Sequence, residues 1–339
     1  MKKSLDTWVY IETDRNGKPL SVGQELLRPG RDIARAQGGT LTAVVLGCGI
    51  HEAVKAANQS GADRVIYVDD PALRDYNTAL YTQSLFSLIR KYEPEVVIIG
   101  ATPNGRDLAP RLSCRLGTGL TADCTALSFD SATGCVEWVR PAMGGSLMAT
   151  IVCPQHHPQM GTVRPGVFKR PTRQAGHAEL ISESFAAQPD SAAVQILEYI
   201  FEEDGGEQGL ADAEIIVSGG RGLGSAEGFA LLRELAEALG GVVGASRAAV
   251  DSGWIGHSHQ VGQTGATVTP KLYIACGISG AIQHTVAIGG AEKVIAINSD
   301  PGAPIFQHCD LGIVGDLYQV LPPLIEKLRH GKDALRICV

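Results

Sequence analysis

Two segments in the second half of the chain point to its fold: residues 260–270, QVGQTGATVTP, and residues 276–284, CGISGAIQH. Both are rich in glycine and in side chains that form hydrogen bonds, and they carry almost no charge. Glycine in an ordered backbone costs conformational entropy, so segments of this kind are rarely kept for packing alone. We therefore expect both to be loops of an α/β sheet that surround a ligand.

Short strand-like runs recur along the second half of the chain, before and after these loops. They are residues 214–220 (EIIVSGG), 271–277 (KLYIACG), 292–298 (EKVIAIN) and 309–315 (CDLGIVG). Each run ends in Gly or Asn, and α/β folds place their ligands beyond the carboxyl ends of such strands. We expect the ligand to lie at that edge of the sheet.

A helix is predicted to follow the first of these strands. Residues 225–241, SAEGFALLRELAEALGG, form an amphipathic pattern in which the leucines recur on one face. Ser225 suits the N-cap of this helix, Glu227 its first turn and Gly240 its end. A strand followed by such a helix is the βα unit of a parallel sheet.

The first half of the chain has the same alternation. Residues 41–47 (LTAVVLG) and 95–101 (EVVIIGA) are apolar runs that predict strands covered on both faces. Residues 64–70 (RVIYVDD) predict a strand whose two terminal acids reach the rim of the sheet. Residues 135–168 are different, because Pro and Gly interrupt an alternating pattern that is typical of antiparallel or edge strands. A parallel sheet with an antiparallel addition is the expected result.

A polar region separates the two halves. Residues 169–208 predict a linker with one short strand and a helix around residues 191–201, which places the domain boundary near residue 205. The predicted fold is α/β, with two Rossmann-like parallel-sheet domains, of which the C-terminal one is a doubly wound ligand-binding domain. Its parts are an N-terminal domain over 1–205, a ligand-binding domain over 206–330 and a tail over 331–339.

The composition excludes several classes of function. With 44% apolar and 19% charged residues the chain is that of a globular protein, and its net charge of −7 without a basic stripe argues against nucleic acid as a partner. No apolar run is long enough to span a bilayer, which predicts no membrane insertion. Eight cysteines without a C-x-x-C pair predict free thiols, no iron–sulfur cluster and a cytoplasmic location.

The glycine-rich segment GGRGLGS, residues 219–225, has two interpretations from sequence. It matches neither a Walker A motif nor G-x-G-x-x-G. Backbone N–H groups at a helix N-terminus, together with Arg221, would still favour an anion. The alternative is a tight βα turn with a solvated arginine, and the segment alone does not decide between them.

Three further segments carry groups that suit a nucleotide. Ser246 and Arg247 follow a short strand, where Arg247 could pair with phosphate or lie over an aromatic ring, or form only a surface salt bridge. Gln263 and Thr264 suit a neutral, planar heterocycle. Residues 279–284 open a helix, and His284 is the last residue of that motif. Phosphates and a polar ring system together indicate a dinucleotide.

A possible metal pair precedes these loops, since His257 and His259 form an H-x-H pattern. No carboxylate or cysteine lies nearby to complete a metal site. We therefore expect a solvated loop and no bound metal.

In their order and spacing, the segments SGGRGLGS, VGASRAAVDSGW, QVGQTG, CGISGAIQH and AINSDPGAPIF resemble the electron transfer flavoprotein α subunits. The resemblance extends into the first half through ATPNGRDLAPRL, TGLTADC and HPQMGTVRPGVFK, and it covers the whole chain. It implies an N-terminal domain that pairs with a β subunit and a C-terminal domain that binds FAD.

The resemblance also implies which residues hold the cofactor. Most of these residues would contact the pyrophosphate, the ribityl chain or the AMP half of the FAD, or lie in the loops around it. They are Arg221, Ser246, Val261, Gly262, Gln263, Ser279, Gly280, Ala281, Ile282, Gln283 and Asn298. Asp316 would lie near the adenine.

Three residues would tune the flavin's redox properties according to the same resemblance. Arg247 would lie against the isoalloxazine ring, Thr264 would hydrogen-bond its central-ring nitrogen, and His284 would face its pyrimidine carbonyl edge as a cation. A cation about 4 Å from that edge contributes up to about 4 kcal/mol at an effective dielectric of about 20. That energy corresponds to roughly 170 mV for a one-electron couple.

The function implied is that of a redox carrier, not an enzyme as an isolated chain. Its FAD would pass single electrons between acyl-CoA dehydrogenase-type partners and an acceptor. In a bifurcating version, a second FAD in the β subunit would take a hydride from NADH and divide the electrons between ferredoxin and this chain's FAD. The alternatives are an AMP- or NAD-binding regulatory module and, with less support, an NAD-dependent hydrolase or transferase.

Different features of the sequence favour the bifurcating and the simple version of this carrier. Some bifurcating relatives have Pro where this chain has His284, whereas the segments TGLTADC and HPQMGTVRPGVFK resemble the relatives from anaerobes. Both versions stay open at this point.

Overall fold

The structure is a computed structural model that describes residues 5–142, 147–172, 175–187, 194, 196, 198, 209–210 and 213–336, with side chains to residue 329. The chain divides into two compact units, Met1–Tyr199 and Ile200–Val339. The predicted boundary near residue 205, and the helix expected around residues 191–201 except for three isolated positions, lie outside the described residues. The boundary therefore stays a prediction.

The N-terminal unit contains a sheet of seven strands and a smaller sheet of three. The strands are β1 (Thr7–Ile11), β2 (Leu41–Gly47), β3 (Arg64–Asp69), β4 (Val96–Gly100), β5 (Leu120–Cys124), β6 (Ala126–Asp130), β7 (Cys135–Ala142), β8 (Leu147–Ile151), β9 (Gln159–Val163) and β10 (Glu179–Ser182). The larger sheet is parallel, in the order β10-β3-β2-β1-β4-β9-β5. The three strands predicted from apolar runs are β2, β3 and β4, and the short strand expected in the linker is β10.

Helices cover both faces of this sheet. They are α1 (Ser21–Gln37), α2 (His51–Gln59), α3 (Thr78–Tyr92) and α4 (Pro103–Leu116). One buried cluster packs α1 and α2 against the sheet and contains Trp138, and the other packs α3 and α4 and contains Trp8. This two-faced burial explains why strands β1, β2 and β4 are buried throughout.

The prediction for residues 135–168 was correct for β7 and β8 and wrong for β9. Strands β6, β7 and β8 pair antiparallel. Strand β9 instead lies in the interior of the parallel sheet, between β4 and β5. Its Gln159 side chain is buried, and both ends of its amide are satisfied. The amide oxygen accepts from the Val136 N–H, and the amide nitrogen donates to the Gly134 carbonyl. Gly161 is required because a Cβ there would meet the Trp138 ring at 2.2 Å.

The C-terminal unit is built on one parallel sheet of six strands. These are β11 (Ile215–Gly219), β12 (Val242–Ser246), β13 (Gln260–Val261), β14 (Leu272–Cys276), β15 (Val294–Asn298) and β16 (Leu311–Val314). Their order is β13-β12-β11-β14-β15-β16, the doubly wound arrangement of Rossmann folds. The order reverses between β11 and β14, so the switch point lies at their carboxyl ends.

Helices again cover the two faces of the sheet. They are α5 (Gly228–Leu239), α6 (Arg247–Asp251), α7 (Ile282–Ile288) and α8 (Leu317–Arg336). Leucines of α5 pack with α8 in one buried cluster, and α7 contributes to the cluster on the opposite face. Helix α8 continues through residue 336, so the first part of the predicted tail belongs to it.

The helix predicted over residues 225–241 ends as expected and begins later. Gly240 is its C-cap at a left-handed φ of 73°. Ser225 is not the N-cap, because α5 begins at Gly228 after Glu227 and has no side-chain cap. Ser225 instead hydrogen-bonds the Glu227 carboxylate, which lowers the pKa of Glu227. Residues 225–227 form a bend and turn ahead of the helix, in which the Phe229 N–H donates to the Ala226 carbonyl.

Two further findings concern the described part of the chain. None of its helices has the length and apolar character needed to cross a membrane. Its seven cysteines carry free thiols. Cys124 and Cys276 are buried, and burial raises the pKa of each to about 12.

Candidate functional site

A cleft of about 610 Å³ lies at the carboxyl edge of the C-terminal sheet. It is bounded by the loops that follow β11, β12, β13, β14 and β15, and thus lies at the switch point. The structure brings together most of the residues predicted from sequence, namely Arg221, Ser246, Arg247, Val261, Gly262, Gln263, Thr264, Ser279, Ala281, Gln283, His284 and Asn298.

Three of the predicted residues are not among those that line the cleft. Gly280 is buried in the loop after β14, at a φ of 86°, and a Cβ there would meet the backbone nitrogen of Ile305 at 2.2 Å. Ile282 is the first residue of α7 and is exposed. The Asp316 carboxylate accepts a hydrogen bond from the Tyr318 backbone at the start of α8. Its predicted place near the adenine stays a prediction.

The glycine-rich segment after β11 is a tight turn, with few free N–H groups. The N–H of Gly220 donates to the Cys276 carbonyl, and that of Gly222 donates to the Gly277 carbonyl. A Cβ on Gly220 would meet the Gly277 oxygen at 2.3 Å. These glycines are needed because two loops approach backbone to backbone, which agrees with the tight-turn alternative and leaves fewer N–H groups for an anion. The Arg221 side chain still reaches the cleft.

Arg247 begins α6 directly after β12, and it forms an ion pair with Asp251, one turn further along. The Nε–Oδ2 distance is 3.2 Å, and both side chains are more than 60% exposed. Exposed pairs of this kind contribute only about 0.3–0.5 kcal/mol. The salt bridge expected as the alternative is therefore present, and it is weak enough for Arg247 to turn toward a ligand.

The segment QVGQTG forms a closed turn. The N–H of Gly262 donates to the Ala266 carbonyl, and the N–H of Gly265 donates back to Gly262. The buried Gln260 amide donates to the Thr264 hydroxyl oxygen at 3.0 Å. Since that oxygen is already an acceptor, the hydroxyl hydrogen of Thr264 remains for a ligand. Gln260 was not predicted as a site residue. The sequence pattern that could have indicated it is an amide side chain four residues before the Thr264 hydroxyl in the same turn.

The loop between β14 and α7 leaves donors for an anion. Among the described residues, the backbone N–H groups of Gly280, Ala281 and Ile282 have no hydrogen-bond acceptor in the protein. The N–H of Gln263 donates to the Gln283 carbonyl, so the loops QVGQTG and CGISGAIQH are joined directly. Asn298 braces the same edge, because its amide donates to the Ile278 carbonyl.

His284 lines the cleft but is only 6% exposed. Its Nε2 lies 2.9 Å from the Tyr273 hydroxyl, and its Nδ1 is buried without a hydrogen-bond partner among the described groups. Burial lowers the pKa of His284 to about 4, an effect that the Val261 backbone only partly offsets. The imidazole is therefore neutral in the protein alone, which differs from the cation expected from sequence. Sequence could not show this, because the burial depends on the fold.

The charge of the cleft is balanced. Its ionised side chains are Arg221, Arg247, Asp251 and Asp300. The two aspartates were not predicted, although Asp300 lies in the quoted segment AINSDPGAPIF. The Asp300 carboxylate accepts from the Gly302 backbone and so is held in its own turn.

The histidine pair before the segment QVGQTG, His257 and His259, belongs to no cluster of metal ligands in the described part of the chain. His259 Nδ1 lies 2.7 Å from the Val243 carbonyl. The part of the chain that the structure describes contains no group of three or more potential metal ligands. The absence of a metal stays a prediction.

These residues fit a flavin dinucleotide. The cleft volume falls within the range of about 300–1,000 Å³ that is usual for ligand pockets. Free N–H groups and Arg221 suit a pyrophosphate, whereas Thr264 and the unpartnered Nδ1 of His284 suit the acceptors of a heterocycle. The donor set is thus divided between the two ends that a dinucleotide presents.

Comparisons with known proteins agree with this assignment. A family model described as the electron transfer flavoprotein domain matches residues 7–188. A second, described as the electron transfer flavoprotein FAD-binding domain, matches residues 209–289 and contains most of the cleft.

Relatives of similar length match almost the whole chain. The electron transfer flavoprotein subunit alpha of Thermoanaerobacterium thermosaccharolyticum is 49% identical over 98% of this chain and 100% of its own. The FixB protein of Clostridium saccharobutylicum is 46% identical over 95% and 96%, respectively. The acryloyl-CoA reductase electron transfer subunit beta of Anaerotignum propionicum is 42% identical over 97% of both chains.

The doubly wound sheet and the cleft at its switch point define a Rossmann-type protein that binds a dinucleotide. The chain belongs to the electron transfer flavoprotein family, among its α subunits, and its cofactor is FAD. Such a subunit is a redox carrier and not an enzyme in the usual sense. The predictions of an α/β fold, of this family and of FAD are confirmed.

Proposed function

We propose that this chain is the α subunit of a heterodimer with an electron transfer flavoprotein β subunit, and that its FAD carries single electrons between a dehydrogenase and an acceptor. The observation that supports this is the meeting of Arg247, Thr264 and His284 in one cleft at the switch point. An AMP or NAD regulatory module would not need a cation, a hydroxyl donor and a buried imidazole around one ring.

FAD supplies the one-electron chemistry when it is bound, and the protein supplies binding and electrostatics. Arg221 neutralises phosphate charge, and the N–H groups of Gly280 and Ala281 offer it hydrogen bonds. The Thr264 hydroxyl and the His284 ring orient the heterocycle through its acceptors. Arg247 adds a positive charge at the mouth of the cleft, where its side chain is exposed.

The redox partners that we propose are flavoenzymes of the acyl-CoA dehydrogenase type. This rests on the 42% identical relative whose name is acryloyl-CoA reductase electron transfer subunit beta, a name that describes electron transfer to a reductase of an acyl-CoA substrate. The N-terminal unit is the part we assign to contact with the β subunit, because the cleft lies wholly in the C-terminal unit.

The test is to purify the chain with its natural β subunit and to count the nucleotides released from each heterodimer. One FAD with one AMP would support a single-electron carrier. Two FAD would extend the proposal to bifurcation, with NADH as the donor and ferredoxin as a second acceptor. Release of AMP or NAD without any flavin would overturn the proposal in favour of the regulatory module.

A further inference from the structure

Tyr273 is a buried residue of β14 that does not line the cleft but hydrogen-bonds to His284, which does. Its side chain is 0% exposed, and its hydroxyl lies 2.9 Å from Nε2 of His284. Strand β14 is the inner strand at the switch point, so the phenol is held rigidly between β11 and β15. Tyr273 is therefore placed to act on the imidazole and not on a ligand.

We propose that Tyr273 is a positioning residue, which donates its hydroxyl hydrogen to Nε2 of His284 and thereby keeps the hydrogen of the neutral ring on Nδ1. The Nδ1–H is then the ring's hydrogen-bond donor, and it would bind a carbonyl-type acceptor of the ligand. The identity of that ligand as a flavin rests on the proposed function, whereas the tautomer does not.

The direction of the hydrogen bond follows from the surroundings of the phenol. A neutral imidazole has one donor and one acceptor nitrogen. If the phenol donates to Nε2, then Nε2 is the acceptor and the ring hydrogen is on Nδ1. Burial raises the pKa of Tyr273, and the phenol keeps its hydrogen to donate. The Ser218 hydroxyl on β11 is buried and makes no hydrogen bond with a described group, so Nε2 of His284 is the acceptor that the structure records for the phenol hydrogen.

The remaining nitrogen of His284, Nδ1, is buried and forms no well-aligned hydrogen bond with a group that the structure describes. The Val261 backbone raises the pKa of the ring, but this does not offset the effect of burial. A buried polar group left without a partner is unfavourable, and a ligand acceptor would satisfy it. A fixed tautomer makes this contact specific, because a ring that turned Nδ1 into an acceptor would repel a carbonyl oxygen.

The first measurement is the tautomer itself, by two-bond ¹H–¹⁵N correlation of ¹⁵N-histidine in the full chain without added nucleotide. His284→Gln identifies the His284 signal. We expect Nδ1 to carry the hydrogen in the wild type, and we expect Tyr273→Phe to shift the ring toward the other tautomer. Ser218→Ala is the matched control, because it removes a neighbouring hydroxyl and leaves the Tyr273 donor. A wild-type hydrogen on Nε2, or an unchanged signal in Tyr273→Phe, would overturn the proposal.

The second measurement is FAD affinity in a double-mutant cycle. Loss of a fixed donor should weaken FAD binding by about 3- to 10-fold in Tyr273→Phe, corresponding to one hydrogen bond. In a His284→Gln background the same change should have no further effect, which a merely structural loss would not reproduce. Equal losses in both backgrounds would contradict the positioning role. If the chain bound no flavin, the NMR result would still decide the tautomer, so the two proposals fail separately.

Discussion

Gly280 is packed directly against the backbone of Ile305, because a Cβ on Gly280 would come within 2.2 Å of the Ile305 nitrogen. The Ile305 N–H also donates to the Ser279 carbonyl, which fixes the loop after β14 against the segment after β15. The free N–H groups of this loop therefore have a rigid base. Their position depends on the absence of a side chain at residue 280.

Gly280→Ala should lower the free energy of unfolding of the C-terminal unit by more than about 3 kcal/mol, since it combines a left-handed φ with overlap against backbone. Gly224→Ala is the matched control, because Gly224 has a φ of 80° and open space where the Cβ would lie. It should cost only about 1–2 kcal/mol. Urea unfolding of both variants checks this, and similar losses in the two would contradict the packing argument.

Arg247→Ala should lower the potential at which the bound FAD takes up its first electron, by roughly 40–100 mV, because a partly solvated cation is removed near the ring. Stability should change little, since the Arg247–Asp251 pair is exposed. Spectroelectrochemical titration of the holo-protein measures the potential. Asp251→Asn is the control, which removes the partner carboxylate and should keep the potential at or above that of the wild type. An unchanged potential in Arg247→Ala would remove this residue from the flavin site.

The strands could be predicted where apolar residues follow one another without interruption. Strands β2 and β4 are of this kind, and both are buried along their whole length. Strand β9 was assigned wrongly because Gln159 and Gly161 give it the texture of an edge strand. Both residues serve contacts with β7 and the turn before it, which are made more than twenty residues away along the chain. Local pattern carries no information about such partners.

The site was predicted as a set of loops, and the fold decided what each loop offers. The loops that bind the ligand could be predicted from the sequence because glycine and hydroxyl residues cluster in QVGQTG and CGISGAIQH. The N–H groups of Gly220 and Gly222 turned out to be used between loops, which depends on the adjacency of β11 and β14. The neutral state of His284 depends likewise on burial beside Tyr273. Both facts are tertiary, so composition and spacing could not supply them.

Thr264→Val should weaken FAD binding by about 5- to 10-fold, because the isosteric side chain removes one hydroxyl donor worth about 1 kcal/mol. Thr264→Ser should bind FAD almost as well as the wild type, since the Gln260 amide can still hold the hydroxyl oxygen. Fluorescence titration of the flavin-free chain with FAD measures both constants. Equal affinities for the Val and Ser variants would show that the hydroxyl makes no contact with the cofactor.

The stability of the C-terminal unit should depend on pH through His284. Burial lowers the pKa of this ring from 6.5 to about 4, so the unfolded chain binds more protons than the folded one between these values. Stability is then fully present above pH 6.5 and falls as the pH drops toward 4, by on the order of 3 kcal/mol in total. The wild type and His284→Gln are compared by urea unfolding at about pH 7 and about pH 5. Proteolysis of the unfolded unit reports the unfolding of the C-terminal unit separately. The variant should lose less stability on acidification, because glutamine does not titrate while every other ionisable group is unchanged. Equal losses in the two proteins would show that the imidazole is not held neutral by the fold.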